Sequence, residues 1–227
     1  MAGKKPNWNR CVLSLVPDRD GSMVDFSPYG NHASQATAAN QPTLVNDGVN
    51  INKSLSFDGA ASPNNDYLVV PDHTSLQLTG SYSVAALIKI SSFAAVNLIW
   101  EKYSSNTDRY QWLFSGAQPG KIGMANNNNS IFYSTDLFQL NTWNIIGFTF
   151  NGTTVTHYLN GSPNGTDAMI PSGGAIGADL RIGSRYNDTW GMNGRLQYLF
   201  AFNYALDADE HIYMNKYLPT WLPRGSK

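Results

Sequence analysis

Two Asn-Gly dipeptides, Asn151-Gly152 and Asn160-Gly161, stand at either end of the run Thr154–Leu159. Asn-Gly reaches positive φ at little cost and is a favoured two-residue turn between antiparallel strands. The pattern predicts a meander of Trp143–Phe150, Thr154–Leu159 and the strand that follows. The same texture runs along the whole chain. Short runs rich in β-branched and aromatic residues alternate with turn residues, and the helical period is almost absent. The remaining predicted strands are Cys11–Val16, Ser54–Phe57, Tyr67–Val70, Tyr82–Ile90, Asn97–Glu101 and Tyr110–Phe114. After them come Lys121–Ala125, Ile131–Ser134, Leu180–Gly183 and Arg195–Asn203.

One helix stands out. Asp207 followed by Glu210 is a capping box, Ile212 and Met214–Tyr217 supply apolar surface, and Pro219 ends the helix. The spacing predicts a helix over Asp207–Tyr217 that docks on an edge or end of the sheets. Many strands and one late helix define an all-β, two-sheet antiparallel sandwich. Phe57, Leu68, Val70, Leu87, Ile99, Phe148, Phe150, Tyr158 and Ile182 are the expected core. Each large apolar side chain buried there is worth about 1.5–3 kcal/mol before conformational entropy is counted.

The length of 227 residues suits one such domain, with an N-terminal arm over 1–10 and the helix and tail over 207–227. The polar stretch Ser34–Asn50 reads as a long loop between early strands. Charged residues make up only 14% and the net charge is −1, which does not suit a nucleic-acid binder. No run approaches the roughly 18 apolar residues of a membrane span, so membrane insertion is not expected. Lys4 and Lys5 are not followed by an apolar segment, so the N-terminus does not read as an export signal. Cys11, the only cysteine, sits in an apolar strand and is expected to be buried and inert. The tail Trp221–Lys227 is read as native.

The order of motifs resembles the laminin-G-like branch of the concanavalin A-like superfamily. The resemblance rests on VLSLVPDRDGSMVDFSPYGNHA (Val12–Ala33) and LSFDGAASPNNDYLVVPDHTSLQLTGSYSVAALIKI (Leu55–Ile90). It continues in LNTWNIIGFTFNGTTVTHYLNG (Leu140–Gly161) and LRIGSRYNDTWGMNGRLQYLFAFNYALDADE (Leu180–Glu210). It implies a jelly roll with one concave and one convex sheet. The superfamily includes glycoside hydrolases, whose retaining members need two carboxyl groups about 5 Å apart. This chain has only two glutamates, Glu101 alone in a strand and Glu210 in the helix cap, and no E-x-D-x-x-E pattern. His32, His73, His157 and His211 are scattered and read as structural or solvated. No enzyme activity is expected, and a hydrolase ranks third among the functions weighed.

The resemblance also implies a structural calcium. Its ligands would be Asp25, the backbone near Asn31, and the position of Gln197, where relatives carry an acid. An amide in place of a carboxylate weakens a hard-cation site. The alternatives are a weakened calcium site and a calcium-free hydrogen-bond network in the same place, and the missing charge tilts the balance to the network. No other cofactor is expected. Asp18 and Asp20 read as an ordinary turn.

Aromatics are 12% of the chain. Most of them belong to the core, and Tyr103, Tyr133, Tyr186 and Trp190 are the loop candidates expected to be exposed. Trp190 has Arg185, Tyr186, Asn187 and Asp188 beside it, a set able to stack on a sugar ring and bond its hydroxyls. The competing reading is a loop packed on itself with Trp190 as its plug. Asn126–Asn129 with Ser130 adds a polar loop. Simple alternation along the last strand puts Leu196, Tyr198, Phe200 and Phe202 on one face, opposite Arg195, Gln197, Leu199 and Ala201. The resemblance implies charged, solvent-facing residues where Tyr198 and Phe200 stand. Tyr198 and Phe200 are then either a protein interface or covered by the helix or the arm.

A sandwich without an export signal points to a structural or adhesion module of a virion, capsid-decorating or tail-associated. Its partners would be other virion proteins or its own copies, with a cell-surface glycan as a further ligand. The alternative is a soluble, extracellular carbohydrate-binding lectin.

Overall fold

A computed structural model describes residues 3–49, 53–60, 64–105, 108–125, 130–169 and 175–218. The first strands are β1 (Cys11–Pro17), β2 (Met23–Asp25), β3 (Thr43–Val45), β4 (Ser54–Asp58) and β5 (Leu68–Val70). Then come β6 (Tyr82–Ile90), β7 (Asn97–Ser105), β8 (Asp108–Phe114), β9 (Ile122–Ala125) and β10 (Ile131–Tyr133). The series ends with β11 (Asn144–Phe150), β12 (Thr154–Leu159), β13 (Ser162–Ala168), β14 (Leu180–Ile182), β15 (Asn193–Phe202) and the helix α1 (Ala208–Tyr217).

All pairings between these strands are antiparallel. The larger sheet runs β13-β12-β11-β6-β15-β1-β2, with β3 and β4 joined to it through β15. The smaller runs β10-β9-β8-β7-β14-β5. The predicted meander is β11–β12–β13, and Asn160 takes the positive φ its turn requires. Between the sheets lies one apolar core that includes Phe57, Leu68, Val70, Ile99, Phe148, Phe150 and Ile182.

Strand β15 departs from simple alternation. A bulge between Leu196 and Tyr198 shifts its register against β6. Leu196, Leu199 and Ala201 therefore face the inter-sheet core, while Tyr198, Phe200 and Phe202 face outward from the larger sheet. The bulge also marks a change of neighbour, since β15 pairs with β4 over Asn193–Leu196 and with β1 over Leu199–Phe202.

The outward face is not left to water. Tyr198, Phe200, Phe202, Leu87, Cys11 and Met214 form a second buried cluster. Trp8 packs edge-on against Phe200 at 5.7 Å and tilted against Phe202 at 5.5 Å. The helix brings Met214 and His211 onto the same face, and His211 stacks on Tyr158 at 3.6 Å. So α1 lies on the face of the larger sheet rather than at an edge or end, and Leu87 and Tyr158 are buried under this cover rather than between the sheets. Tyr198 and Phe200 have no exposed surface and offer none to a partner.

The arm reaches this cover because it is pinned at several points. The backbone N–H of Asn7 donates to the Tyr204 hydroxyl at 2.8 Å, and Lys4 pairs with Asp207 at 2.8 Å. Gly3 passes so close that a Cβ there would sit 2.3 Å from the Asp209 carbonyl. Both halves of the Asp207–Glu210 capping box are formed.

Candidate ligand groove

The outer face of the smaller sheet carries a polar cluster set out by strand alternation. In β14, Leu180 and Ile182 enter the core and Arg181 points out. In β7 and β8, Trp100, Tyr110 and Trp112 enter the core, leaving Glu101, Tyr103, Arg109 and Gln111 on the other side. The register sets Arg181 beside Glu101, Glu101 beside Gln111, and Tyr103 beside Arg109.

The loop after β14 folds back over this cluster. Gly183 makes the turn with φ +90°, where a Cβ would lie 2.4 Å from the Phe57 ring. Arg185 N–H donates to the Thr189 carbonyl at 2.9 Å, and Asp188 N–H to the Arg185 carbonyl at 3.0 Å. The sheet then holds the loop from beneath. Glu101 accepts from the Tyr186 N–H at 2.7 Å and from the Gln111 amide. Arg181 donates to the Tyr186 carbonyl at 2.7 Å and to Asp188 at 2.6 Å, while its guanidinium lies 3.7 Å from the centre of the Tyr67 ring. Burial pushes the Glu101 carboxyl above its usual range, against the hydrogen bonds from Tyr186 and Gln111 and the charges of Arg185 and Arg109. Glu101 is 1% exposed and bonded through both oxygens, so it positions the loop and is not placed to protonate a leaving group.

Above the cluster lies a groove of about 320 Å³. Tyr67, Tyr103 and Tyr186 give it aromatic walls, Asp179 and Asp188 its acidic rim, and Arg181 part of its floor. Tyr103 and Tyr186 stack face to face, their ring centres 3.9 Å apart and their planes within 1° of parallel. Of the sequence-predicted cluster, Tyr186 and Asp188 line the groove. Arg185 lies 4.3 Å over the half-buried Trp190 ring and 5.3 Å from the centre of the Tyr186 ring, and neither Arg185 nor Trp190 is among the groove's lining residues. Asn187 is exposed at the tip, where its side-chain oxygen accepts from Thr189 at 2.7 Å. Tyr133 lies on β10, separated from β14 by three strands. The Asn126–Asn129 run lies outside the described residues. Sequence reasoning missed Tyr67, Asp179 and Arg181. The available signal was a lone arginine between two aliphatics in Leu180–Ile182.

The expected calcium ligands fall into two separate networks. Asp25 accepts from the N–H groups of Ser14, Ser27 and Asn31 and from the Ser27 hydroxyl, at 2.6–2.9 Å. Asn31 donates its amide to the Val12 carbonyl and the Ser75 hydroxyl, each at 2.9 Å. Gln197 instead closes a two-way pair with Val49, accepting from its N–H at 2.7 Å and donating to its carbonyl. An amide can do both, whereas a carboxylate only accepts. Four donors thus approach the Asp25 carboxylate, about as many as its lone-pair positions, and Gln197 is engaged elsewhere. Among the described residues, no group of three or more His, Cys, Asp or Glu side chains is gathered for a metal.

A two-sheet jelly roll with a loop-built groove is the architecture of a family, and the family match agrees. The chain belongs to the concanavalin A-like lectin/glucanases superfamily, whose laminin-G-type model matches residues 62–210. A search of the curated proteins gives no match. Several solved structures share the fold. The binding domain of Paraclostridial Mosquitocidal Protein 1 aligns with a TM-score of 0.71 at 14% identity, over 92% of this chain and 52% of that one. The binding domain of Botulinum neurotoxin DC in complex with rat synaptotagmin II aligns at 0.70 and 14%, over 94% and 52%. The same toxin domain in complex with SialylT aligns at 0.69 and 14%, over 93% and 52%. The chain thus spans about half the length of these domains.

These findings correct the expectation of a virion component. The matching folds named here are toxin binding domains, and none of them points to capsid decoration, tail association, virion partners or a virion location. Among the described residues no helix is long and apolar enough to cross a membrane.

Proposed function

We propose that this chain is a non-enzymatic binding module whose ligand is a neutral saccharide, held in the tyrosine groove. The observation that carries this reading is the combination of three tyrosine walls with acceptors that remain open. Asp179 and Asp188 each use one carboxylate oxygen within the chain and keep the other without a partner among the described residues. Aromatic faces take the apolar face of a sugar, and carboxylates accept from its hydroxyls. Arg181 is largely buried, its charge paired with Asp188 and one face of its guanidinium against Tyr67, so among the described residues the lining exposes no unpaired cation for an acidic sugar. Binding domains with this fold include one solved with SialylT. That likeness covers about half of the toxin domain.

Tyr186→Ala is expected to weaken binding of a neutral oligosaccharide about tenfold, the loss of one aromatic contact worth roughly 0.5–1.5 kcal/mol together with its buried area. Calorimetry on the hits of a glycan array reads this. Tyr186 is 44% exposed, so the melting temperature should barely move. An array with no neutral hit, or equal affinity in the variant, would sink the reading.

The same reading keeps the Asp25 loop calcium-free. A chelator is expected to leave the melting temperature unchanged. A rise of several degrees on adding millimolar calcium would contradict it, because a bound ion stabilises by mass action.

A further inference from the structure

We propose that a second groove, where the N-terminal arm meets the end of β15, binds an acidic saccharide through the guanidinium of Arg10. This groove holds about 650 Å³, within the usual range of ligand pockets, and shares no lining residue with the tyrosine groove. Arg10, Thr74, Gln77, Thr79, Ser81 and Tyr204 carry the argument.

Arg10 is exposed yet firmly held. Its Nε donates to the side-chain oxygen of Asn203 at 2.8 Å, and its Nη2 donates to the Asn203 carbonyl. The guanidinium lies over the Tyr204 ring at 5.2 Å. Its backbone is fixed as well, with Arg10 N–H on the Asn7 carbonyl at 3.0 Å and Asn203 N–H on the Arg10 carbonyl at 3.1 Å. A guanidinium carries five N–H donors, and Asn203 takes the two along the Nε–Nη2 side. The Nη1–Nη2 end remains, which is the pair of parallel donors that meets a carboxylate in two-point contact. Because the fork is already ordered, little side-chain entropy is lost on binding.

The rest of the lining fits a sugar bearing that carboxylate. Among the described residues, none that lines the groove is acidic. Glu210, which the Tyr204 hydroxyl reaches at 3.0 Å, is buried and sits 3.5 Å from Lys4. Thr74, Gln77, Thr79 and Ser81 present side-chain hydroxyls and an amide with no partner among the described residues, suited to the hydroxyls of a saccharide. A single cation matches one carboxylate and not a polyanion, which needs several phosphate contacts. The two grooves therefore have opposite preferences. The tyrosine groove has spare acceptors and no spare cation, and the Arg10 groove has a spare cation and no acid.

The test uses the full chain and three probes in calorimetry or saturation-transfer NMR: 3′-sialyllactose, a glucuronate-terminated disaccharide, and lactose. Gly80 lines the groove and nothing lies within 4 Å of a Cβ there, so Gly80→Trp sets a large side chain at the groove without a clash. At least one acidic probe is expected to bind, with Arg10→Gln weakening it about tenfold or more, as loss of a charge-assisted two-point contact implies. Gly80→Trp should abolish that binding at an unchanged melting temperature. Comparing the two acidic probes tells a sialic from a uronic acid. Absence of binding by both acidic probes overturns the proposal, as does binding that neither variant alters. If Arg10→Gln fails to fold, Gly80→Trp decides alone. Loss of acidic-sugar binding in Tyr186→Ala, with Gly80→Trp silent, would place the carboxylate in the tyrosine groove and also overturn it. Lactose reports on the tyrosine groove separately, so either reading can fail while the other stands.

Discussion

Phe200→Ala is expected to lower the stability of this chain by about 3–5 kcal/mol, the usual cost of truncating a buried phenylalanine. The melting temperature should fall by roughly 10 °C for a chain of this size. In a bare sandwich the position would face water and the change would be nearly silent. Here Phe200 has no exposed surface, with Trp8 set edge-on at 5.7 Å and Tyr198 beside it at 6.0 Å. Trp8→Ala should cost less, because Trp8 is only half-buried, but it uncovers Phe200 and Phe202 together. Denaturant unfolding of both variants gives the order. A loss below about 1 kcal/mol for Phe200→Ala would mean that the arm and helix lie loosely on the sheet.

Acid is expected to destabilise the fold between pH 6.5 and pH 4, through two buried histidines. His157 hydrogen-bonds the Phe132 carbonyl through Nε2 at 3.0 Å, which leaves a buried Nδ1 with no partner. Burial pushes its pKa down to about 4, against the Phe132 carbonyl and the charge of Asp167. His211, stacked on Tyr158 and bonded to the Thr149 hydroxyl at 2.9 Å, is pushed down by burial to about 3, against Asp207. Both folded values lie below the unfolded value of about 6.5. The unfolded chain therefore binds the extra protons, and the stability present above that value is lost as the pH falls towards the folded ones. The loss is roughly 3 kcal/mol for each histidine by pH 4. Asp66 acts in the opposite sense. Burial and the nearby Asp58 raise its pKa to about 6, so its protonation relieves strain and returns part of the loss. Unfolding free energies from pH 7 to pH 4 give the net slope. His211→Gln, which keeps a polar group near Thr149 and cannot titrate, should flatten that slope even if it lowers stability at pH 7. An unchanged slope would count against the assignment.

The fold was legible because turn chemistry and strand alternation are local. Asn160-Gly161 marks its hairpin, and the Asp207–Glu210 box marks the helix start, whatever the rest of the chain does. The face of β15 was not legible. One bulge at Gln197 reverses the inward set, so simple alternation put Leu196 with Phe200 when they face opposite ways. A bulge depends on which strands flank β15, and β4 and β1 lie far from it in sequence. Gln197 was noticed as an odd residue, but its partner Val49 is 148 positions away. The groove was half legible. Tyr186 and Asp188 stand next to Trp190 in the chain and could be read together, whereas Tyr67 and Arg181 join them only through the register of β5 against β14. The aromatic stripe and the arm were both visible, but that Trp8 covers Phe200 is a fact of packing.

The Tyr186 loop has two sides with different duties. Its underside is tied to Glu101, Arg181 and Leu98, while Asn187 and much of Tyr186 stand in solvent. Evolution, or a designer, can therefore redraw what the upper side recognises without renegotiating the foundation. Libraries varied at the crest should retain their thermal tolerance while their ligand repertoire diverges.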